Sequence, residues 1–439
     1  MAWILGRFGN RFAPVYGANY YNIHNLLIIS IMEDIFFDYH ISQTTALLLI
    51  VAFLGTLWVC IVWLAPLRRV RRAIESHNAE AESASAEGFS IDNDNEGCAE
   101  GCTEPVSVIV RANDDAEMLS ELLPALLEQK YDPGFEVIVV NEGASPDTSD
   151  LVDRLRINHR NLYLTFTPEE SRNLSTRKLA ITLGVKAAHN RILVLTTGRC
   201  AVGSPLWLSR MVRHFTDPAV EVVIGYSVPA TDDGRWKRTR TFDHAADSIT
   251  WLDAALRDKP YRGTEFNLAY TREVFFANKG FSRSLNLLDG DDDVFVNEIA
   301  HGGNTAVELS ECGRVEECYD NTRLGMKSRR RRHEYTGRLL PRGSRRMMSA
   351  GCWALTITVL SAIAAGVTAL PNLVPAIVAL VIIIAVLVLT ALAWRKTINA
   401  LGGRRLAVTA PFLAMTMPVR NSCRWLRSHR DRNKHHTWR

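Results

Sequence analysis

Three long stretches of uncharged, mostly apolar residues constrain this chain more than any other feature. They occupy residues 45–67, 352–370 and 373–394. Each has roughly the length that a helix needs to cross a hydrocarbon core about 30 Å thick at 1.5 Å per residue. The sequence therefore predicts three transmembrane helices. The last two form a hairpin, because only Pro371 and Asn372 separate them.

Basic residues follow the first and third stretches: Arg68, Arg69, Arg71 and Arg72, then Arg395, Lys396, Arg404 and Arg405. The positive-inside rule places such clusters in the cytoplasm. The net charge of +4 hides this asymmetry, since ten of residues 323–346 and eleven of residues 395–439 are Lys or Arg. We expect a multi-pass protein of the plasma (inner) membrane, with a cytoplasmic central block whose basic flanks meet anionic membrane lipids.

The flanking segments carry further expectations. Residues 1–44 form an N-terminal segment with no clear span, and Met32 is a candidate for the true start. Residues 68–104 begin with the basic cluster that ends the first span and continue as an acidic linker. Residues 75–104 hold nine acidic residues and no Lys or Arg. Such composition predicts disorder. Residues 395–439 are a basic cytoplasmic tail, in which residues 406–419 are an interfacial or re-entrant element.

Residues 105–345 alternate between apolar, β-rich runs and helical periodicity. Strands are predicted at 106–112, 135–140, 161–165 and 191–196, and helices at 117–129, from 151 onward and at 178–188. This alternation is typical of an α/β doubly wound sheet, in which ligands bind at the carboxyl ends of the strands. A dinucleotide-dependent oxidoreductase is disfavoured, because no G-x-G-x-x-G follows the first strand.

Several motifs follow these elements in a specific order. They are LTTGRC (195–200), GYSVP (225–229), KPYRG (259–263), FNLAY (266–270), NKGF (278–281) and LLDGDDDVFVNE (287–298). Over residues 105–337 the chain resembles the inverting glycosyltransferases of family 2. The likeness is greatest to a membrane-anchored bacterial subgroup with one N-terminal span and a C-terminal hairpin. The resemblance implies a GT-A (Rossmann-like) nucleotide-sugar domain in addition to the transmembrane helices.

The resemblance also implies a donor site. Residues that match the family's nucleotide-binding positions are Asn113, Asn141, Glu142 and Lys178, and those that match its basic element near the diphosphate are Arg331, Arg332 and His333. Arginines there would stabilise the departing diphosphate. A lipid-binding patch is a compatible alternative for this basic run. Nucleic-acid binding is disfavoured, because no helix-turn-helix or metal finger accompanies it.

The family's metal motif is not kept. Its members carry Asp-x-Asp after the fourth strand, and those two carboxylates hold Mg²⁺ or Mn²⁺ against the donor phosphates. This chain has Thr197-Gly198-Arg199 instead. The family thus implies a divalent metal cofactor, but these three residues have no carboxylate to hold one, and no metal site is predicted. Either Arg199 neutralises the diphosphate, or ordinary metal-dependent donor binding has been lost; the second alternative is favoured.

The acidic motif Gly290-Asp291-Asp292-Asp293 matches the position of the family's general base. A carboxylate beside other acids can have its pKa raised toward the working pH. By motif position Asp292 is the favoured base and Asp291 its rival, while Gly290, Asp293 and Asn267 belong to the acceptor loop. The alternative is an acidic cap on a helix at 294–300.

These patterns predict a membrane-bound inverting glycosyltransferase. It would move a sugar from a nucleotide sugar to a lipid-linked or glycan acceptor at the cytoplasmic face. The alternative is a catalytically inactive relative that acts as a membrane scaffold or regulatory subunit of glycan synthesis. Three donor-side departures favour it: Asn141-Glu142, Thr197-Gly198-Arg199, and Phe266 where the subgroup often has Arg.

Overall fold

The computed structural model describes residues 41–87, 102–168, 175–229, 237–318, 332–403 and 409–430. The predicted start at Met32 and the linker residues 88–101 lie outside this range. The chain divides into two compact units, Met1–Val59 with Ala354–Val388, and Cys60–Trp353 with Leu389–Arg439. Each is described by itself.

The first unit consists of helical segments. Helix α1 spans Gln43–Trp58 and is continued by a π-helical turn at Val59–Trp63. The other segments belong to two long helices, Gly343–Ala369 and Leu373–Ala400. Within the unit, Thr45 donates a hydrogen bond to Thr368 at 3.0 Å. Gly55 lets a second helix approach closely, because a Cβ there would lie 2.1 Å from the Thr358 hydroxyl.

Among the described residues, three helices are long and apolar enough to cross a membrane: Gln43–Ser83, Gly343–Ala369 and Leu373–Ala400. They contain the three stretches singled out in the sequence. The predicted helices are therefore present, and their hydropathy agrees with a role as spans.

The second unit is built on a seven-stranded sheet of order β3-β2-β1-β4-β8-β6-β9. Strands β1 to β4 are parallel, and β8 runs antiparallel to both β4 and β6. A smaller sheet has the order β5-β10-β7. The strands are β1 Val106–Ala112, β2 Phe135–Asn141, β3 Leu162–Phe166, β4 Ile192–Thr197, β5 Cys200–Val202, β6 Val222–Gly225, β7 Ser227–Pro229, β8 Leu268–Thr271, β9 Thr305–Glu308 and β10 Val315–Glu317. The predicted α/β class and its first four strands are confirmed.

Helices connect and cover the strands. After α2 (Ala65–Glu87) they are α3 Ala116–Leu127, α4 Pro146–Arg156, α5 Thr176–Ala187, α6 Trp207–Val212, α7 Lys237–Ala255, α8 Arg272–Ala277, α9 Asp293–Ile299, α10 at 332–336, α11 Gly343–Ala369, α12 Leu373–Ala400 and α13 Ala410–Arg430. β1 and β4 are buried along their whole length. This agrees with near-continuous apolar runs, since helices cover both faces of a parallel sheet.

Helix α5 lies unusually close to the sheet because of Gly184. A Cβ at Gly184 would lie 2.5 Å from Ile109 Cγ2 and 3.1 Å from Val140 Cγ2.

We expect Gly184→Ala to destabilise the protein by about 1–3 kcal/mol, because overpacking forces such contacts apart. Thermal unfolding measures the effect. Gly203→Ala is the matched control, since nothing lies within 4 Å of a Cβ there, and an equal loss in both variants would contradict the packing argument.

The predicted disordered linker is wrong for residues 75–87, which belong to α2. Val70, Ile74 and Ala81 are buried at helical spacing, and α2 packs on α7. Arg69 donates to Asp253 at 2.6 Å and Arg213 donates to Glu80 at 2.8 Å. An apolar stripe thus orders this segment despite its acidic composition, since tertiary packing of one face stabilises most protein helices.

The predicted interfacial segment at 406–419 overlaps α13, whose residues Ala410 and Ala414 are buried. Arg420 of this helix pairs with Asp243 of α7 at 3.0 Å. Residues 404–408 lie outside the described range. The contact with α7 fixes the helix against the α/β unit.

Candidate active site

The carboxyl ends of β1 and β4 are adjacent, because the two strands pair in parallel with Arg111 opposite Thr197. The loops that follow them are Asn113–Asp115 and Gly198–Arg199. Gly198 donates its backbone N–H to the Arg111 carbonyl at 2.8 Å. The two loops therefore form one edge, which is where ligands bind in open α/β sheets.

A buried charge cluster lies beside this edge. We call it the Glu265 cluster, and its members are Arg111, Glu142, Arg177, Glu265 and Arg332. Arg111 donates to Glu142 at 2.7 Å and to Glu265 at 2.6 Å. Arg177 donates to Glu265 at 3.1 Å, and Arg332 donates to both of its oxygens. One carboxylate thus organises three guanidinium groups from three separate elements.

Electrostatics keep the arginines of this cluster charged. Burial by itself lowers the pKa of Arg111, but the carboxylates of Glu265 and Glu142 outweigh it and the pKa is raised. Burial also lowers the pKa of Arg177, but the Glu265 carboxylate outweighs it and the pKa is raised. Asn113 donates to Glu142 at 2.9 Å and so joins the cluster to the first loop. The predicted donor residues Asn113 and Glu142 therefore lie together.

The residues at the expected metal position do not suit a divalent cation. Arg199 donates from Nε to Asp115 Oδ1 at 2.6 Å. The nearest carboxylate in the loops is therefore already bound to a guanidinium. Within the described parts of the chain, no three His, Cys, Asp or Glu side chains are grouped so as to hold a metal. A hard cation of this kind needs several oxygen ligands, so no step of the chemistry is assigned to one.

The acidic loop forms the other wall of the site. Gly290 has a φ of +94°, a conformation that glycine adopts at little cost. Asp292 occupies the N-cap of α9 but makes no side-chain capping hydrogen bond. Asp293 accepts from the Val294 N–H at 2.8 Å and from the Thr336 hydroxyl. Asp293 therefore supports the loop, whereas the side chain of Asp292 does not act as a cap.

Asp291 is the exceptional member of this loop. It is 3% exposed, and neither of its carboxylate oxygens has a partner from another residue in the described part of the chain. It lines a small cavity whose other polar walls come from Arg111, Thr197, Glu265 and Asp292, with aliphatic side chains of the sheet and α5 below. A buried carboxylate without a partner is costly, which marks this cavity as a functional candidate.

The two aspartates differ in their surroundings. Burial raises the pKa of Asp291, while Arg177 and Arg111 act in the opposite direction. Burial also raises the pKa of Asp292, and Asp293 and Asp291 raise it further, so that it lies well above its ordinary value. Burial raises the pKa of the neighbouring Asp289 to about 6. Neighbouring acidic groups of this kind resist simultaneous ionisation, because like charges repel.

Lys178 supports the acidic loop rather than facing the cleft. It is 2% exposed, and its Nζ donates to the Ser284 carbonyl at 2.5 Å and the Leu287 carbonyl at 3.0 Å. Burial lowers its pKa against the attraction of Asp291. Lys178 therefore holds the acidic loop in this structure, and its contact with phosphate stays a prediction.

Two other predicted site residues are buried in the framework. Asn141 donates to the Ser145 carbonyl and the Ser149 hydroxyl and so shapes the turn after β2. Asn267 donates to the carbonyls of Tyr226 and Gly313 and accepts from Trp207. Both are fully buried. Their described contacts are all within the protein.

The basic element contributes two described residues. His333 accepts a hydrogen bond from Arg262 at 2.7 Å, and Arg262 also donates to Asp247 at 2.5 Å. Arg332 belongs to the Glu265 cluster. Arg331 lies outside the described residues. The structure thus brings Arg332 to the predicted donor side, together with Asn113 and Glu142.

The motifs did not single out Glu265, Arg177 or Arg111 as site residues. Arg111 carried a usable signal, because a charged residue inside an otherwise apolar buried strand needs a partner. Glu265 carried little signal, since its partners lie 154, 88 and 67 residues away. Only the folded chain identifies it.

A family model with the description Glycosyl transferase family 2 matches residues 107–285 of this chain. A structure of the mannosyltransferase PcManGT from Pyrobaculum calidifontis with GDP-Man and Mn²⁺ is similar, with 20% identity over 82% of this chain and 98% of that chain and a TM-score of 0.46. Glucosyl-3-phosphoglycerate synthase from Mycobacterium tuberculosis has 16% identity over 47% of this chain and 70% of that one, with a TM-score of 0.32. No curated protein sequence matches.

Proposed function

The chain carries a glycosyltransferase family 2 domain of GT-A type, and from this premise we propose that it is a membrane-bound inverting glycosyltransferase. It would transfer a sugar from a nucleotide sugar to a lipid-linked or glycan acceptor. The single observation that carries the proposal is the buried carboxylate of Asp291, which has no hydrogen-bond partner from another described residue, in the cavity beside Arg111 and Thr197. An acceptor hydroxyl that enters this cavity would supply the missing hydrogen-bond donor.

We assign the base to Asp291, with Asp292 as its proton-sharing neighbour. The motif by itself favours Asp292, but a base has to be ionised before it accepts a proton. Burial and the Glu265 carboxylate raise the pKa of Asp291 against Arg177 and Arg111, which lower it, whereas Asp293 and Asp291 add to the burial that raises the pKa of Asp292. Of the two, Asp291 is therefore the better placed to act as the ionised base.

The proposed reaction is one displacement. The acceptor oxygen forms a bond to C1 of the sugar as its proton passes to Asp291. The bond between C1 and the diphosphate oxygen breaks, and its electron pair leaves with the nucleoside diphosphate. Attack opposite the leaving group inverts C1. Arg199, Arg332 and the basic element that contains Arg331 and His333 would stabilise the diphosphate, as guanidinium groups bind phosphate oxygens in bidentate fashion.

The membrane setting follows from the three apolar helices. Their basic flanks favour the cytoplasmic side for the α/β unit. A lipid-linked acceptor suits that location.

An inactive scaffold or regulatory relative is the second candidate. The observation that favours it is the absence of a metal-binding group in the described residues, together with the ion pair between Arg199 and Asp115. A protein with this role would keep the fold and the membrane helices but would not turn over a sugar donor.

Purified full-length protein, incubated with UDP- and GDP-sugars and a membrane lipid extract, tests the proposal. We expect release of the nucleoside diphosphate together with a lipid- or glycan-linked sugar whose anomeric configuration is inverted, as measured by NMR. Absence of turnover with every donor, in protein that still binds nucleotide, would favour the inactive relative. A product of retained configuration would remove the single-displacement mechanism.

The pH dependence of transfer should report the raised pKa of the Asp291–Asp292 pair. Because the base acts when ionised, kcat/KM should fall as pH decreases through a value above the ordinary range of aspartate, about 3.9. Asp292→Asn removes a neighbouring negative charge, so the acid limb should move to lower pH. An unchanged acid limb in this variant, measured from pH 4 to 9, would contradict the coupling.

A further inference from the structure

The two ends of β4 carry similar arginines in different settings. Arg191 precedes the strand and donates to Glu104 at 2.7 and 2.8 Å. Arg199 follows it and donates from Nε to Asp115 at 2.6 Å, while its side chain stays 46% exposed. Arg191 lies at the amino end of the parallel strands, and Arg199 lies at the carboxyl end, where ligands bind.

Arg199 is also fixed in direction. Its backbone N–H donates to the Thr197 hydroxyl at 3.3 Å, and its Nη2 lies 3.5 Å from the Asn113 carbonyl. Asp115, which is 4% exposed, holds the guanidinium from the buried side. A guanidinium has five N–H donors in a planar fork, so donors remain on its exposed edge.

The carboxylates of Asp115, Glu142 and Glu265 at this edge are already engaged. Asp115 binds Arg199, Glu142 binds Arg111, and Glu265 binds arginines of its cluster. Positive charge at this edge therefore comes from fixed arginines, and no set of oxygen ligands for a divalent cation is present among the described residues.

We propose that Arg199, oriented by Asp115, binds the diphosphate of the donor in place of a divalent cation, so that nucleotide binding does not need metal. This rests on the proposed function, because it concerns the donor of that reaction. The guanidinium supplies directed, charge-assisted hydrogen bonds to phosphate oxygens. Because the attraction between the half-exposed guanidinium and the diphosphate is ionic, we also expect nucleotide binding to weaken as salt is added.

Calorimetric titration of GDP and UDP into the purified full chain tests this in EDTA and in Mn²⁺. We expect equal affinity for the better nucleotide in both buffers. Arg199→Ala should weaken binding about tenfold or more, as expected for loss of a hydrogen bond to a charged group. Arg191→Ala is the matched control and should bind as the unchanged protein does. Thermal unfolding of each variant checks that it is folded.

A double variant gives the converse test. Thr197→Asp with Arg199→Asp rebuilds two carboxylates one residue apart, so binding should now require Mn²⁺. If the unchanged protein bound nucleotide only in Mn²⁺, this proposal would be overturned and the proposed function would remain intact. The same would follow if Arg199→Ala kept full affinity. Failure to bind either nucleotide in both buffers would overturn this proposal and the nucleotide-sugar donor together.

Discussion

Replacing Asp291 by Asn should lower the rate of sugar transfer by about 10²–10⁴-fold, the usual contribution of a positioned general base. The amide keeps the size of the side chain but cannot accept the acceptor proton. The loss should appear in kcat, with nucleotide affinity little changed, because the base acts on the acceptor. Transfer kinetics and calorimetric titration of nucleotide measure the two quantities.

The controls for this variant separate chemistry from folding. Asp153→Asn changes an aspartate that is 62% exposed on α4 and should leave the rate unchanged. Asp292→Asn should retain more activity than Asp291→Asn, since it removes the proton-sharing neighbour and not the base. The reverse order would return the base to Asp292, the position that the motif favours.

Replacing Glu265 by Ala should cause the largest loss of stability, about 3–5 kcal/mol, because it leaves buried guanidinium groups without a partner. The side chains of Arg111, Glu265 and Arg332 are 8%, 9% and 10% exposed, so water cannot take over the lost contacts. A change of this size lowers the Tm of a domain of 150–250 residues by on the order of 10 °C.

Thermal unfolding of the full chain in detergent measures this effect. Glu104→Ala is the matched control, since it removes one carboxylate from an arginine pair that is 39% and 43% exposed. An exposed pair of this kind contributes about 1 kcal/mol or less. Similar Tm values for the two variants would show that the Glu265 cluster is not a major source of stability.

The motif residues lie in one region of the fold, and their roles stay predictions. Asp291 and Asp292 line the cavity, Glu142 and Arg332 bind residues that line it, and Asn113 binds Glu142. Asn141, Lys178 and Asn267 instead hold the backbone around it. A motif gives the residue type and its order in the chain, but burial and hydrogen-bond partners depend on segments that lie far away in sequence.

The helix α2 shows the same limit in the fold. Its acidic composition predicts a solvated linker, and composition is a sound guide only where no apolar face is buried. Val70 and Ile74 are buried, and their spacing was present in the sequence. What the sequence could not supply was the surface of α7 that covers them.

The sequence by itself determined the three apolar helices, the α/β class, the first four strands and the loss of the Asp-x-Asp carboxylates. These features depend on local hydrophobic periodicity and on residue identity, which are legible in a single chain. The tertiary structure decided that Glu265 joins three arginines, that Asp115 holds Arg199, and that the Asp291 carboxylate is buried without a hydrogen-bond partner from another described residue. Each of these depends on charges brought together from distant segments, where burial lowers the dielectric response and makes the choice of partner decisive.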